Sequence, residues 1–115
     1  MKILDCLFCK IVDGEIPSNI VYEDEKIIAF KDTNPQAPVH VLLIPKEHIE
    51  SANHLNEDHK ELVGHIYIVA KDLSKELGLD NGYRIVNNCS KDGGQTVDHI
   101  HFHLLGGRQL MWPPG

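Results

Sequence analysis

Long hydrophobic runs, an excess of basic residues and a rich cysteine content are all missing from this chain. No segment approaches the roughly eighteen consecutive apolar residues of a membrane span, and residues 1–5 lack the apolar stretch of a signal peptide. We therefore expect a cytoplasmic protein with no membrane partner. The formal net charge of −6 argues against a general nucleic-acid binder, but it is compatible with a pocket for one small anion.

The small number of cysteines limits what they can do. Three cysteines in a reducing compartment indicate free thiols or metal ligands rather than a disulfide framework. The length of 115 residues, with 42% hydrophobic and 24% charged residues, is typical of one ordinary globular domain. Because there is no internal repeat, low-complexity tract or linker, we expect a single domain over residues 1–115.

Hydrophobic periodicity predicts the main elements. Asn56 is a suitable N-cap for a long helix, apolar residues recur at helical spacing from Leu62 to Leu77, and Gly78 suits the C-terminal cap. The pattern also predicts a short helix over 6–12, strands over 20–23, 27–31, 39–45 and 83–87, and a turn at 93–94. Short connections and one dominant helix indicate an α+β fold, with an antiparallel sheet covered by helix on one face.

Three histidines at alternating positions are the most informative feature of the chain. His99, His101 and His103 are separated by apolar residues, which is the period of a strand, so their imidazoles should share one face. Ile100, Phe102 and Leu104 should then pack against the core. Imidazole serves as a nucleophile, a proton carrier or a metal ligand near neutral pH, so this row indicates chemistry.

A glycine-rich segment directly precedes the histidines. Residues 92–96, Asp-Gly-Gly-Gln-Thr, allow a close backbone approach, and successive amides can form an anion-binding concavity to which Thr96 adds a hydroxyl. An anion cradle beside imidazoles suits phosphorus chemistry. One neutral histidine could attack phosphorus while its neighbours stabilise charge on the equatorial oxygens.

The segment 99–105 matches the alternating signature of the histidine-triad (HIT) superfamily, and the rest of the chain resembles its Hint branch, the histidine-triad nucleotide-binding proteins. The other matching segments are 14–17, 30–32, 35–40, 44–46, 93–95, 105–109 and 112–115. The ending favours Hint over the Fhit-type dinucleoside polyphosphate hydrolases. The resemblance implies a HIT-like fold with a five-stranded antiparallel sheet, one long helix and a short N-terminal helix.

The resemblance also implies a catalytic set. His101 would be the nucleophile, with its tautomer fixed by the backbone carbonyl of His99, while His103 and His40 would line the phosphate site. Thr96 stands where many relatives have serine, so protonation of the leaving group could be altered. Contacts to the phosphate or the leaving group would come from Asn88 and from the amides of Gly94 and Gln95.

The nucleotide site is likewise implied by resemblance. Asp32 would bind the ribose hydroxyls, although by itself it could equally be a loop-capping carboxylate. Trp112 would lie near the active site across a dimer interface, with simple anchoring of the C-terminus as the alternative. The residues that would clasp the base, and that could otherwise be plain core, are Leu7, Phe8, Ile11, Ile16 and Phe30.

A Cys-x-x-Cys pair suggests a metal. Cys6 and Cys9 can reach one ion, and zinc readily completes a tetrahedral site with two histidines, for which His48 and His99 are available. Several microbial members of the family carry zinc in this pattern, so the resemblance implies a structural zinc that pins the N-terminal helix to the sheet. The alternative is two buried cysteines that pack as small apolar residues. Cys89 has no evident partner.

The sequence thus predicts a dimeric purine nucleoside phosphoramidate hydrolase that binds purine mononucleotides and forms a nucleotidyl-histidine intermediate. No cofactor would be required for catalysis. The alternatives are a Fhit-like dinucleoside polyphosphate hydrolase or a nucleotidyl transferase, and a nucleotide-binding regulatory or scaffold protein. A further alternative, a hydrolase whose triad holds catalytic metal, leaves the glycine-rich cradle without a purpose.

Overall fold

Five antiparallel strands form one sheet in the computed structural model, which describes residues 5–115. The strands are β1 (Ile20–Glu23), β2 (Ile27–Lys31), β3 (Val39–Pro45), β4 (Tyr83–Val86) and β5 (Phe102–Gly106), in the order β1-β2-β3-β5-β4. The predicted bounds of the first three strands are confirmed, and the fourth ends one residue earlier than predicted. Residues 1–4 lie outside the described residues. Two predictions fall partly on them: the lack of a signal peptide and the start of the domain at residue 1.

Helices cover both faces of this sheet, and not one face alone as the sequence predicted, because the short N-terminal helix packs opposite the long one. They are α1 (Leu7–Val12), α2 (Lys60–Glu76) and the single turn α3 (Ser90–Gly93). Asn56 caps a 3-10 turn, Glu57–His59, which leads into α2, and Gly78 with a φ of +77° follows the end of the helix. Among residues 5–115, no helix is long and apolar enough to cross a membrane.

The core is divided between the two faces because side chains alternate along each strand. On one face Ile27, Ala29, Val41 and Leu43 pack against α2, which contributes Ile66, Val69, Ala70 and Leu73. On the other face Ile28, Phe30, Leu42 and Ile44 pack against α1, which contributes Phe8, Cys9 and Ile11. The central strand β3 is therefore apolar along nearly its whole length and holds the two layers together.

The histidine segment differs from the prediction in one respect. Ile100, Phe102 and Leu104 do pack in the α2-side core, as predicted, but β5 begins only at Phe102. The N–H of Ile100 donates to the carbonyl of Ile49 at 2.6 Å, and the carbonyl of His101 accepts from the Asn87 side chain at 2.9 Å. These bonds to a loop and to a side chain hold residues 99–101 outside the regular ladder, so only His103 of the triad lies within a strand.

The predicted turn at 93–94 is also more ordered than expected. Gly93 ends α3, and Gly94 caps this helix in the left-handed conformation with a φ of +79°. A residue without a side chain is favoured at such a cap.

Candidate active site and metal centre

Four aromatic rings converge where β3 and β5 run side by side on the α1 face of the sheet. The ring centroid of His103 lies 5.1 Å from that of His101 and 5.1 Å from that of His40. Phe8 of α1 sits edge-on against His101, again at 5.1 Å. The predicted catalytic imidazoles are thus brought together under the N-terminal helix.

A main-chain contact fixes the tautomer of His101. Its Nδ1 lies 2.8 Å from the carbonyl oxygen of His99, and since a carbonyl only accepts, Nδ1 carries the proton. In the neutral tautomer that this bond selects, Nε2 is the unprotonated nitrogen. Within residues 5–115, no fully buried side-chain nitrogen or oxygen lacks a hydrogen bond. Because Nε2 of His101 has no such partner, solvent must reach this atom even though only 4% of the residue is exposed.

A chain of hydrogen bonds fixes the other two imidazoles. The backbone N–H of Gln36 donates to Nδ1 of His40 at 3.0 Å, so the proton of His40 is on Nε2. This Nε2 lies 2.8 Å from Nδ1 of His103, which must accept, and the proton of His103 is therefore on its own Nε2. His103 can donate to a ligand, whereas both nitrogens of His40 are already engaged.

Burial keeps these rings neutral at neutral pH. Burial lowers the pKa of His103 to about 4 and that of His99 to about 4. Burial also lowers the pKa of His40, although the nearby Asp32 carboxylate acts in the opposite direction. The site therefore offers neutral N–H donors around the unprotonated nitrogen of His101.

The glycine-rich segment is held mainly by bonds within itself. The amides of Gly94 and Gln95 donate to the carbonyls of Lys91 and Ser90, both at 3.1 Å. The predicted phosphate contact by these amides would require them to share or break these bonds. The Gln95 side chain accepts from the Ser90 amide and donates to the carbonyls of Glu50 and Val97. Gln95 therefore organises the loop.

Two predicted phosphate contacts remain open to a ligand. In the part of the chain that the structure describes, neither the side-chain amide of Asn88 nor the hydroxyl of Thr96 makes a hydrogen bond to protein. Asn88 is half-buried and Thr96 is exposed. Both polar groups can therefore turn toward a bound phosphate or leaving group.

The carboxylate of Asp32 has a structural role. Its Oδ1 accepts from the amide of Asn34 at 2.8 Å, which is the loop-capping bond considered as the alternative. Its Oδ2 lies 3.4 Å from Nε2 of His40, at the edge of the imidazole cluster. Asp32 thus borders the site, and its contact with a ribose stays a prediction.

The residues predicted to clasp a base divide into two groups. Phe8, Ile11 and Phe30 are buried in the α1-side core, with the rings of Phe8 and Phe30 5.6 Å apart. Leu7 is 44% exposed and Ile16 is half-buried, so these two side chains face outward from the same region. A core interpretation fits the first group, while the second leaves apolar surface for a ligand.

The side chain of Trp112 is exposed to solvent. The residue is 80% exposed in the C-terminal tail, so its side chain is not buried against the described part of this chain, and its place near an active site stays a prediction.

A second cluster lies between α1, the end of β3 and the start of the histidine segment. Nδ1 of His99 is 3.4 Å from Sγ of Cys6 and 3.6 Å from Sγ of Cys9, and Nδ1 of His48 is 3.3 Å from Sγ of Cys9. Sulfur and nitrogen ligands of tetrahedral zinc lie about 3.5 Å apart, from bond lengths of about 2.3 and 2.1 Å. The donor atoms of Cys6, Cys9, His48 and His99 all fall within 4.8 Å of one another, so the cluster fits a structural zinc site.

Hydrogen bonds prepare this cluster for a metal. Nε2 of His99 lies 2.8 Å from the carbonyl of Pro45 and must donate to it, which leaves the lone pair of Nδ1 facing the sulfurs. Burial raises the pKa of the Cys6 thiol, so a bare thiolate at Cys6 would be unfavourable without a cation. The sulfurs of Cys6 and Cys9 face imidazole nitrogens. This arrangement differs from the alternative, in which the two cysteines pack only as small apolar residues. Cys89, half-buried and 3.7 Å from the Ser90 hydroxyl, takes no part in the cluster.

Asp32, His40 and His103 also place donor atoms within 4.8 Å of one another. Here the hydrogen bonds argue against a metal. Because the Gln36 amide holds Nδ1 of His40 as an acceptor, Nε2 of that ring carries a proton and has no lone pair for an ion.

Several groups that shape the site were not found by sequence reasoning. Asn87 holds the backbone of His101 from the end of β4, next to the predicted Asn88, and two adjacent asparagines after a strand were a usable signal. The Gln36 amide and the carbonyls of Pro45 and Ile49 are main-chain groups. Since every residue carries such groups, residue identity gave no indication of them.

Comparisons with known proteins show which family and fold this chain shares. The family model described as scavenger mRNA decapping enzyme C-terminal binding matches residues 5–111. A 14 kDa zinc-binding protein from Zea mays is 52% identical over 111 residues, covering 95% of this chain and 87% of that protein. The structure of a HIT family hydrolase from Legionella pneumophila Philadelphia 1 superimposes with a TM-score of 0.95 at 56% identity, covering 96% of this chain and 100% of the other. A histidine triad nucleotide-binding protein from Candida albicans gives a TM-score of 0.80 at 38% identity, covering 95% of this chain and 83% of that chain.

Proposed function

Since the chain belongs to the histidine-triad (HIT) family, we propose that it is a hydrolase of purine nucleoside phosphoramidates that forms a covalent nucleotidyl-histidine intermediate. The observation that carries this proposal is the tautomer of His101. Its Nδ1 proton is held by the His99 carbonyl, so the solvent-accessible Nε2 has a free lone pair. A neutral imidazole in this state is ready to act as a nucleophile.

The reaction has two steps. Nε2 of His101 attacks the α-phosphorus, the bond between phosphorus and the amine nitrogen breaks, and the amine leaves with a proton that solvent supplies through the Thr96 hydroxyl. Water then attacks the same phosphorus, and the bond between phosphorus and Nε2 breaks. This step releases the nucleoside monophosphate, returns a proton to solvent and restores the neutral imidazole. His103, neutral with its proton on Nε2, donates to a phosphate oxygen and stabilises the charge that develops there.

The same face of the sheet provides the rest of the nucleotide site. Asp32 at the edge of the imidazole cluster would accept hydrogen bonds from the ribose hydroxyls, and Leu7 and Ile16 would hold the base against Phe8. Asn88 and Thr96, free of protein partners among the described residues, would contact the phosphate and the leaving group. This arrangement, with the name of the Candida albicans protein, supports placement in the Hint branch.

The Cys6, Cys9, His48 and His99 cluster would hold a structural zinc ion. A closed shell of two sulfur and two nitrogen ligands leaves no open position for substrate, so its chemistry is to crosslink α1 to the sheet. The name of the Zea mays relative supports this assignment. We assign no catalytic role to a cofactor.

We further propose that the protein is a cytoplasmic, single-domain homodimer. The exposed Trp112 and the edge strand β4, which pairs only with β5, are the features that support a second copy. In this dimer Trp112 would approach the active site of the partner.

Trapping of the intermediate tests the proposed reaction. The protein is mixed with an adenosine phosphoramidate, denatured early at alkaline pH to preserve the nitrogen–phosphorus bond, and mapped by mass spectrometry. We expect a nucleotidyl adduct on His101, and none in a His101→Asn variant. Unmodified His101 during active turnover would contradict the mechanism.

A second measurement separates the alternatives within the family. Turnover of the phosphoramidate should exceed that of a diadenosine polyphosphate, which is the substrate of a Fhit-like hydrolase. The opposite ratio would favour the Fhit-like alternative, and tight mononucleotide binding without turnover of either would favour a regulatory or scaffold protein.

A further inference from the structure

One peptide group connects the nucleophile to the metal centre. The peptide unit between His99 and Ile100 accepts the Nδ1–H of His101 on its oxygen at 2.8 Å. Through its nitrogen it donates to the carbonyl of Ile49 at 2.6 Å. Because a peptide unit is planar and rigid, the position of Ile49 determines where the carbonyl that orients His101 points.

Metal-binding residues flank this peptide group on both sides. His99 supplies its carbonyl, and its imidazole is fully buried between the sulfurs of Cys6 and Cys9 and the Pro45 carbonyl. His48 directly precedes Ile49 and is only half-buried, with its Nδ1 directed to Cys9. The four-ligand centre therefore sets the distance between the two segments that hold the peptide.

We propose that the Cys6–Cys9–His48–His99 centre orients the nucleophile, and that His48 is a positioning residue for the reaction. An ion in the centre ties the His48–Ile49 segment to His99. The Ile49 carbonyl then holds the His99–Ile100 peptide with its oxygen toward His101. This inference rests on the proposed function for its effect on rate, but the orientation of the His101 ring is measurable without any substrate.

The physical reason is the small tolerance of a nucleophile. Without the ion, the His48 imidazole keeps one sulfur contact, to Cys9 at 3.3 Å, and its edge-to-face packing on the His99 ring. Neither contact fixes the distance between the two rings as coordination of one ion would, so the Ile49 carbonyl can withdraw from Ile100. A shift of about 1 Å in such a support costs on the order of 100-fold in rate. His103, His40 and Asp32 are held through the Gln36 amide and the 32–34 loop, away from this peptide, so mononucleotide affinity should change little.

Histidine-selective ¹⁵N NMR on the full chain tests this directly. In the zinc-loaded protein we expect His101 protonated on Nδ1 alone. In His48→Ala the signals should show exchange between the two tautomers, and single-turnover transfer to His101 should slow by about 100-fold with an unchanged mononucleotide Kd. His48→Cys, which restores a fourth ligand, should recover both the tautomer and the rate with zinc bound. His54→Ala is the matched control, since His54 is exposed and its imidazole bonds, within residues 5–115, to Ser51 and Glu50 alone.

Hydrogen exchange in the wild-type protein provides a test that does not depend on a variant folding. Addition of a chelator should release protection at the Ile100 amide well before the amide of Leu104 in β5. Equal loss at both amides, or at neither, would show that the metal supports the fold as a whole or not at all, and would overturn the inference. An unchanged His101 tautomer and rate in folded His48→Ala would also overturn it. If wild-type protein forms no adduct while the tautomer still follows zinc, the proposed function fails and the positioning role of the centre stands.

Discussion

His99 and His101 meet through the main chain: the carbonyl oxygen of His99 accepts from Nδ1 of His101 at 2.8 Å, while the His99 ring points to Cys6 and Pro45. The two roles of His99 therefore use different atoms. Its imidazole belongs to the metal centre and its carbonyl to the nucleophile, so metal binding and orientation of His101 do not compete.

Replacement of the nucleophile should separate chemistry from binding. In His101→Ala we expect kcat for a nucleoside phosphoramidate to fall by about 10⁴-fold or more, because no other group supplies the covalent step. Mononucleotide affinity, measured by calorimetry, should remain close to that of the wild type. A loss of affinity in proportion to the loss of activity would contradict the assignment, and His54→Ala, at an exposed imidazole, should change neither.

Metal content should depend on the thiols of the N-terminal helix. Freshly purified protein is expected to contain about one zinc per chain, and the Cys6→Ser, Cys9→Ser double variant none. Loss of the bound ion should lower the free energy of unfolding by about 3 kcal/mol, the linkage contribution of a ligand present at about 100 times its Kd, and Tm by roughly 12 °C. Cys89→Ser should keep the metal and Tm, because Cys89 lies outside the centre. Absence of zinc from the wild type, measured by elemental analysis, would remove the metal assignment.

Acid should destabilise the protein partly through His103. Its pKa is lowered from 6.5 to about 4 by burial, so the unfolded chain takes up this proton at a higher pH than the folded chain. The contribution to stability is fully present above pH 6.5 and is lost as the pH falls toward 4. His103→Gln should therefore take up about one proton fewer on unfolding at pH 5, measured from denaturation as a function of pH. Equal pH slopes for the variant and the wild type would show that burial does not hold this ring neutral.

Replacement by alanine should change the free energy of unfolding in opposite directions at two glycines. Gly107 has a φ of +94°, and an added Cβ would lie 2.9 Å from Cβ of Pro38, so Gly107→Ala should cost about 2 kcal/mol. Gly64 lies within α2 with nothing within 4 Å of an added Cβ, so Gly64→Ala should add roughly 0.8 kcal/mol. Chemical denaturation measures the free energy of unfolding of both variants. A lower value for Gly64→Ala than for the wild type would show that there is no space for a methyl group at this helix position.

Much of the fold could be predicted because its signals are local. β2 and β3 coincide with the predicted strands 27–31 and 39–45, because a strand that is covered on both faces is apolar along nearly its whole length, with Lys31 and His40 as the exceptions here. The start of β5 could not be predicted. Its alternation continues back to His99, but the bond from Ile100 to Ile49, far away in sequence, takes that residue out of the ladder.

The candidate site divides in the same way. Residue types and spacing indicated the histidine triad, the Cys-x-x-Cys pair and the two histidines that complete the metal centre with it. Imidazoles and thiols are few in the chain and have distinctive chemistry. Only the structure shows that the Gly94 and Gln95 amides donate hydrogen bonds to carbonyls of α3. The exposure of Trp112 is likewise visible only there.

The order of residues by itself determined which nitrogens and sulfurs are present, and that the histidines of the 99–103 segment alternate with the apolar residues that enter the core, because both follow from covalent spacing. Only the tertiary structure decided which nitrogen of each imidazole carries the proton. That choice is made by main-chain partners at Gln36, Pro45 and His99, and a carbonyl or an amide looks the same in every residue until the fold brings it to a ring.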